Sequence, residues 1–110
     1  MSETPKPPKT YEKFVHRYPK LKTVWGLIAE AGKEGPLDEK TRRLVKLGIA
    51  AGALREGSVH SNVRKALALG IPKEAIEQVV CLAAGTLGLP ATVALFSWIQ
   101  DTMKDNEKVK

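Results

Sequence analysis

The chain has 110 residues, 43% of them hydrophobic and 27% charged, which describes one globular domain with a modest core rather than a disordered or multidomain protein. Aromatic residues are only 5%, so the core has to be built from Leu, Val, Ile and Ala. The net charge is +6 and Cys81 is the single cysteine, which excludes an internal disulfide, a CxxC redox pair and a cysteine-based zinc site.

The N-terminal MSETPKPPKT carries three prolines and no apolar stretch. Residues 1–10 therefore read as a flexible arm and not as a secretory signal. The folded domain is expected over 11–104, with a polar tail at 105–110. Tyr11 to Tyr18 reads as a short helix with Phe14 and Val15 inward. Pro19 disfavours helix at Tyr18 and can open the next one. That second helix runs to about Lys33, with Leu21, Val24, Trp25 and Ile28 on one face. Gly35 and Pro36 end it.

Asp38 is a good N-cap for a third helix reaching about Leu54. Its apolar side is wide, with Leu44, Leu47 and Ala51 flanked by Val45, Gly48 and Ile49. A fourth helix is expected from Ser58, as N-cap, to Leu69. Val59, Val63 and Ala66 fall on one side, and Gly70 suits the left-handed position just beyond the end. The fifth helix follows Pro72, with Ile76, Val79, Val80, Ala83 and Leu87 inward. Gly88-Leu89-Pro90 interrupts. The sixth runs from about Pro90 to Met103, with Ala91, Ala94, Leu95, Trp98 and Thr102 in register.

From Gln78 to Gln100 no residue is charged. A run of that length can signal a membrane span, but the Gly88-Leu89-Pro90 break leaves two pieces too short to cross singly. The segment reads as an αα-hairpin in water. Two adjacent helices this apolar need more cover than a small chain supplies, which predicts a homo-oligomer with the hairpin at or near the interface.

Charge is uneven along the chain. Residues 1–24 carry a balance of +4, residues 25–70 of +3 and residues 71–110 of −1. The lysines are scattered and lack interleaved aromatics, so they read as a solvated surface that could attract a small anion, and not as a nucleic-acid track. A lone thiol suits a reducing cytoplasm. His16 and His60 are too far apart in sequence to suggest a metal site, and no cofactor motif is present.

The order LDEKTRRLVKLGIAAGA, EGSVHSNVRKALALGIPKEAIEQVV and then a glycine-broken apolar hairpin resembles the carboxymuconolactone decarboxylase and AhpD-like family. The resemblance covers roughly 37–98, with a lead-in at Pro19 to Asp38. Its local anchors are Lys40, Arg42, Leu44, the ALALG ending at Gly70, and Glu74-Ala75-Ile76. It implies an all-α fold of about six helices, assembled as a homotrimer or homohexamer with sites near subunit contacts. The AhpD-like branch carries a CxxCxxxH motif with a preceding glutamate. Aligned on Ala66 and Gly70, those positions fall on Arg55, Ser58, Asn62 and Arg43. Thiol peroxidase chemistry of that kind has no residues here.

The decarboxylase branch needs no thiols. Loss of CO2 from a small lactone acid calls for a cationic clamp, a stabiliser of negative charge and a proton donor. Arg43, Arg55 and Arg64 are candidate clamps, His60 the candidate catalytic acid or base, and Ser58 and Asn62 candidate hydrogen-bonding groups. Each has a plainer reading. Ser58 caps a helix, Asn62 satisfies backbone groups, and His60 sits at a surface or interface. Two functions stay open at this point: a cofactor-free carboxy-lyase acting on a small organic acid or lactone, and a non-catalytic oligomeric binding module that has lost the family's redox site.

Overall fold

The computed structural model describes residues 9–109, so residues 1–8 of the expected arm lie outside the described residues. The described residues form six helices: α1 (Lys9–Arg17), α2 (Pro19–Lys33), α3 (Glu39–Gly52), α4 (Glu56–Ala68), α5 (Lys73–Leu87) and α6 (Leu89–Val109). There is no strand among the described residues, and the fold is all-α. No helix among them is long and apolar enough to cross a membrane.

The body is a ring of four helices. Helix α3 packs on α4, α4 on α6, α6 on α5, and α5 back on α3. Each contributes the apolar stripe that its 3.6-residue period places inward. Leu47, Ala50 and Ala51 come from α3, Val59, Val63 and Ala66 from α4, Ile76 and Val79 from α5, and Leu95, Ile99 and Met103 from α6. Leu47, Ile76, Leu95 and Ile99 are fully buried. Truncating one of them to alanine costs about 2–5 kcal/mol.

The helix ends explain why α4 sits where it does. Asp38 caps α3 by accepting a hydrogen bond from the Thr41 backbone N–H at 2.8 Å, and that bond holds its carboxyl below the ordinary range. At the far end of α3, Leu54 donates to Ala51 O and Arg55 to Ala50 O, both at 3.0 Å. This is a Schellman turn whose left-handed residue is Leu54, with φ of 52°. A Cβ in that region costs about 1–2 kcal/mol. The turn delivers the chain straight into α4, which starts at Glu56, two residues earlier than the Gly57-Ser58 pair suggests. Ser58 is therefore a first-turn residue and not the cap, a position that Arg55 occupies without a side-chain bond. Helix α4 ends in a second Schellman turn, with Gly70 at φ 80° and Ile71 donating to Ala66 O at 3.1 Å. Ile71 closes the core below it.

Three other expectations change. Helices α1 and α2 bury no side chain completely. Phe14 and the α2 face of Leu21, Val24, Trp25 and Ile28 are exposed in the single chain, Ile28 by 59%. Their period is helical, but the four-helix ring is already closed without them. Cys81, which falls within the uncharged hairpin segment expected to be largely covered, is exposed in the single chain, because it lies off the stripe that carries Ile76 and Val79. Helix α6 continues through the segment read as a polar tail, where Lys73 and Glu107 form an ion pair.

Candidate functional site

Helix α4 presents three faces. Val59, Val63 and Ala66 fill the core. Ser58, Ser61, Asn62 and Lys65, spaced i, i+3, i+4 and i+7, form a polar stripe toward α3. Arg43, Lys46 and Ala50 occupy the matching side of α3. Between the two stripes lies an open cavity of about 480 Å3, walled also by Ile49 and Ala53, with Arg55 from the α3–α4 turn and Trp25 from α2 at its edge.

This cavity is cationic. Arg43, Lys46, Arg55 and Lys65 line it, and no carboxylate does. Among the described residues the close acid–base contacts found are His60 with Glu56 and Lys73 with Glu107, so none of the four cations has a carboxylate in ion-pair contact. One Arg43 N–H donates to Asn62 Oδ1 at 2.6 Å, and Asn62 Nδ2 donates to the Ser58 carbonyl at 2.8 Å. The amide thus braces the guanidinium against α4. The Arg43 Nε is buried and has no partner among the described residues. Burial pulls the Arg43 guanidinium below its ordinary range, with Glu39 opposing and Arg42 reinforcing the shift. Lys65 is half-buried, and its ammonium is disfavoured by burial first and by the charges of Arg43, Lys46 and Arg64 next. Like charges held together without a counter-ion are an unfavourable arrangement that a bound anion relieves.

The structure therefore brings together Arg43, Arg55, Ser58 and Asn62 from the residues singled out in the sequence. It does not bring His60 or Arg64 to them. A step of two residues turns a helix by about 200°, so His60 leaves α4 on the side away from Ser58 and Asn62. Its Nδ1 hydrogen-bonds the Thr102 hydroxyl of α6, and its Nε2 meets Glu56 Oε2 at 3.1 Å. Thr102, nearly fully buried, also donates to the Trp98 carbonyl at 3.1 Å. His60 ties α4 to α6. Arg64, one turn on, is exposed.

Sequence reasoning missed Lys46, Ser61, Lys65 and Trp25. The signal for the first three was a polar repeat at helical spacing on two consecutive helices, the mirror image of the apolar repeat that marks a core. Trp25 carried no such signal, because α2 reaches the cavity only through the tertiary fold. Among the described residues no group of three His, Cys, Asp or Glu side chains could hold a metal ion. The donors in the cavity are cations, hydroxyls and an amide, a set suited to an oxyanion.

Comparison with known proteins agrees with the architecture. The model of the carboxymuconolactone decarboxylase family matches residues 19–101, which takes in every residue lining this cavity. A carboxymuconolactone decarboxylase family protein from Legionella pneumophila, solved in its apo form, superposes with a TM-score of 0.78 at 22% identity, covering 87% of each chain. At that identity the likeness speaks for the fold. No curated protein matches the chain.

Proposed function

This chain belongs to the carboxymuconolactone decarboxylase family, and from that premise we propose that it binds a small organic acid or lactone acid in the α3–α4 cavity and releases CO2 from it. The observation that carries this reading is the cavity's four cations without a carboxylate. Arg43 and Arg55 supply the clamp for an acid group, and a charge-assisted hydrogen bond of this kind contributes about 1.5–3 kcal/mol. With one acid group held, the remaining cations lie beside the negative charge that develops as a second carboxylate departs. Ser58, Ser61 and Asn62 orient carbonyl and hydroxyl oxygens. His60 is a brace between α4 and α6 in this reading, and its role as acid or base is given up.

The test is to titrate purified protein with lactone acids and β-keto acids, following heat and released CO2. Binding that weakens as salt rises, with CO2 evolved from at least one compound, is the expected result. Binding without CO2 from any compound favours the non-catalytic module, and no binding of any anion removes the reading.

A second copy of the chain is proposed as the cover for the exposed apolar side chains. Trp25, Leu27 and Ile28 on α2, Leu82 on α5 and Leu89 and Phe96 on α6 are each at least half exposed, more than an isolated small domain normally leaves in water. Sedimentation at micromolar concentration should show a homo-oligomer, trimer or hexamer. A monomer there contradicts the proposal. A reducing cytoplasm suits the one exposed thiol.

A further inference from the structure

We propose that Lys65 is the nucleophile of the cationic cavity, taking the carbonyl carbon of a keto acid as an imine while Arg43 and Arg55 hold the carboxylate. This rests on the reading that the cavity binds small organic acids, and it goes beyond it by narrowing the substrate class to keto acids and naming a covalent step.

The geometry supplies what an amine needs for that step. Lys65 reaches the cavity from the polar stripe of α4, directly after Ser61 and Asn62 on the same face. Unlike Lys46, which lines the same cavity but is exposed, Lys65 is half-buried. It forms no ion pair among the described residues, so no carboxylate holds it in its charged form. Partial burial first, and the neighbouring cations next, favour the neutral amine, the form that attacks carbon; lysines are activated by these two means. The same cations that disfavour the ammonium attract the substrate's carboxylate. A ligand carrying a carboxylate and a ketone one or two carbons apart satisfies both demands at once.

The chemistry balances without a further reagent. The neutral Lys65 amine adds to the ketone carbon, and the carbinolamine takes up one proton from solvent and loses one water to give a protonated imine, the proton returning to solvent when the imine is hydrolysed to the neutral amine. With a β-keto acid, the bond from the carboxylate to the α-carbon breaks, CO2 leaves, and the electron pair moves into the enamine. The α-carbon takes a proton from water. One water then hydrolyses the imine, returning Lys65 and a ketone one carbon shorter. The net reaction consumes one proton and releases one CO2.

Reductive trapping tests this on the whole protein. Acetoacetate or pyruvate is added with sodium cyanoborohydride near neutral pH, and adducts are located by peptide mass mapping. Lys65 should be labelled at least tenfold faster than the other lysines, and excess succinate should suppress its labelling while leaving theirs unchanged. Lys65→Arg, checked for helix content by circular dichroism, should lose the fast adduct. Labelling spread over surface lysines without preference for Lys65 overturns the inference. If succinate binds wild type and Lys65 is not labelled, the imine is wrong and the anion-binding reading stands. If succinate fails to bind wild type, both fall.

Discussion

Two faces of α4 lie within one helical turn of each other and do opposite work. The face carrying Ser58, Ser61, Asn62 and Lys65 borders a cavity lined by four cations and no carboxylate. On the face carrying Glu56, His60 and Arg64, His60 is bonded on one side to Thr102 of α6 and on the other to Glu56, while Arg64 is exposed. In sequence these residues interleave and look like one reactive cluster. On the helix they are separated: the first face borders the cavity, and His60 on the second meets α6. Titratable groups that are already paired stabilise the fold, whereas groups left unpaired at a concave surface are the ones that recognise something else.

That contrast can be broken at several points. The largest effect is expected from Arg43→Met combined with Lys65→Met. Removing two of the four cations should weaken succinate binding by about 100-fold or more in calorimetry, from about 1.5–3 kcal/mol per charged contact. A loss under threefold would mean that the cavity is not the site. Next is Asn62→Leu, which removes the brace on the Arg43 guanidinium. Leaving that half-buried donor unpaired should cost about 1–3 kcal/mol of stability in urea and weaken anion binding by about tenfold. An unchanged affinity would show that Arg43 needs no orienting partner.

On the opposite face, His60→Ala should cost about 1 kcal/mol of stability, the usual net worth of a lost hydrogen bond, because the buried Thr102 hydroxyl keeps only its bond to Trp98 O. No change in the urea midpoint would contradict the bracing role. The smallest effect concerns pH. Lys65 has its amine pKa depressed in the folded state below the ordinary 10.5. Between the folded value and 10.5 the unfolded chain binds more protons, so stability should rise with pH across that window. The rise should vanish in Lys65→Met, which should also be slightly more stable than wild type at neutral pH. A wild-type profile that is flat or falling there would mean that neither burial nor the neighbouring cations act on Lys65.

Much of the fold was legible because its punctuation is local. Pro19, the Gly35-Pro36 pair, Gly70 and Gly88 bound helices for reasons intrinsic to each residue, and the stripes Val59, Val63, Ala66 and Ile76, Val79 mark inward faces by period alone. The start of α4 was not legible, since it depends on Leu54 accepting a left-handed conformation that its side chain disfavours. Nor was the exposure of Trp25 and Ile28, because periodicity says that a face is apolar and not what covers it. Of the residues that line the cavity, Arg43, Arg55, Ser58 and Asn62 stood out by residue type. Lys65 was passed over because a lysine on a basic chain is unremarkable until its burial and its neighbours are known. That His60 lies apart from the cavity was hidden for the converse reason: its chemistry is versatile, and its partner Thr102 lies 42 residues away on α6.

The central claim, that ligand recognition belongs to the α3-facing side of α4 and not to the histidine side, is tested most directly by titrating succinate into His60→Ala and Arg43→Met in parallel with wild type. The account predicts that Arg43→Met weakens binding by about 10- to 100-fold and that His60→Ala stays within twofold. Loss of binding in His60→Ala with Arg43→Met unaffected would contradict it.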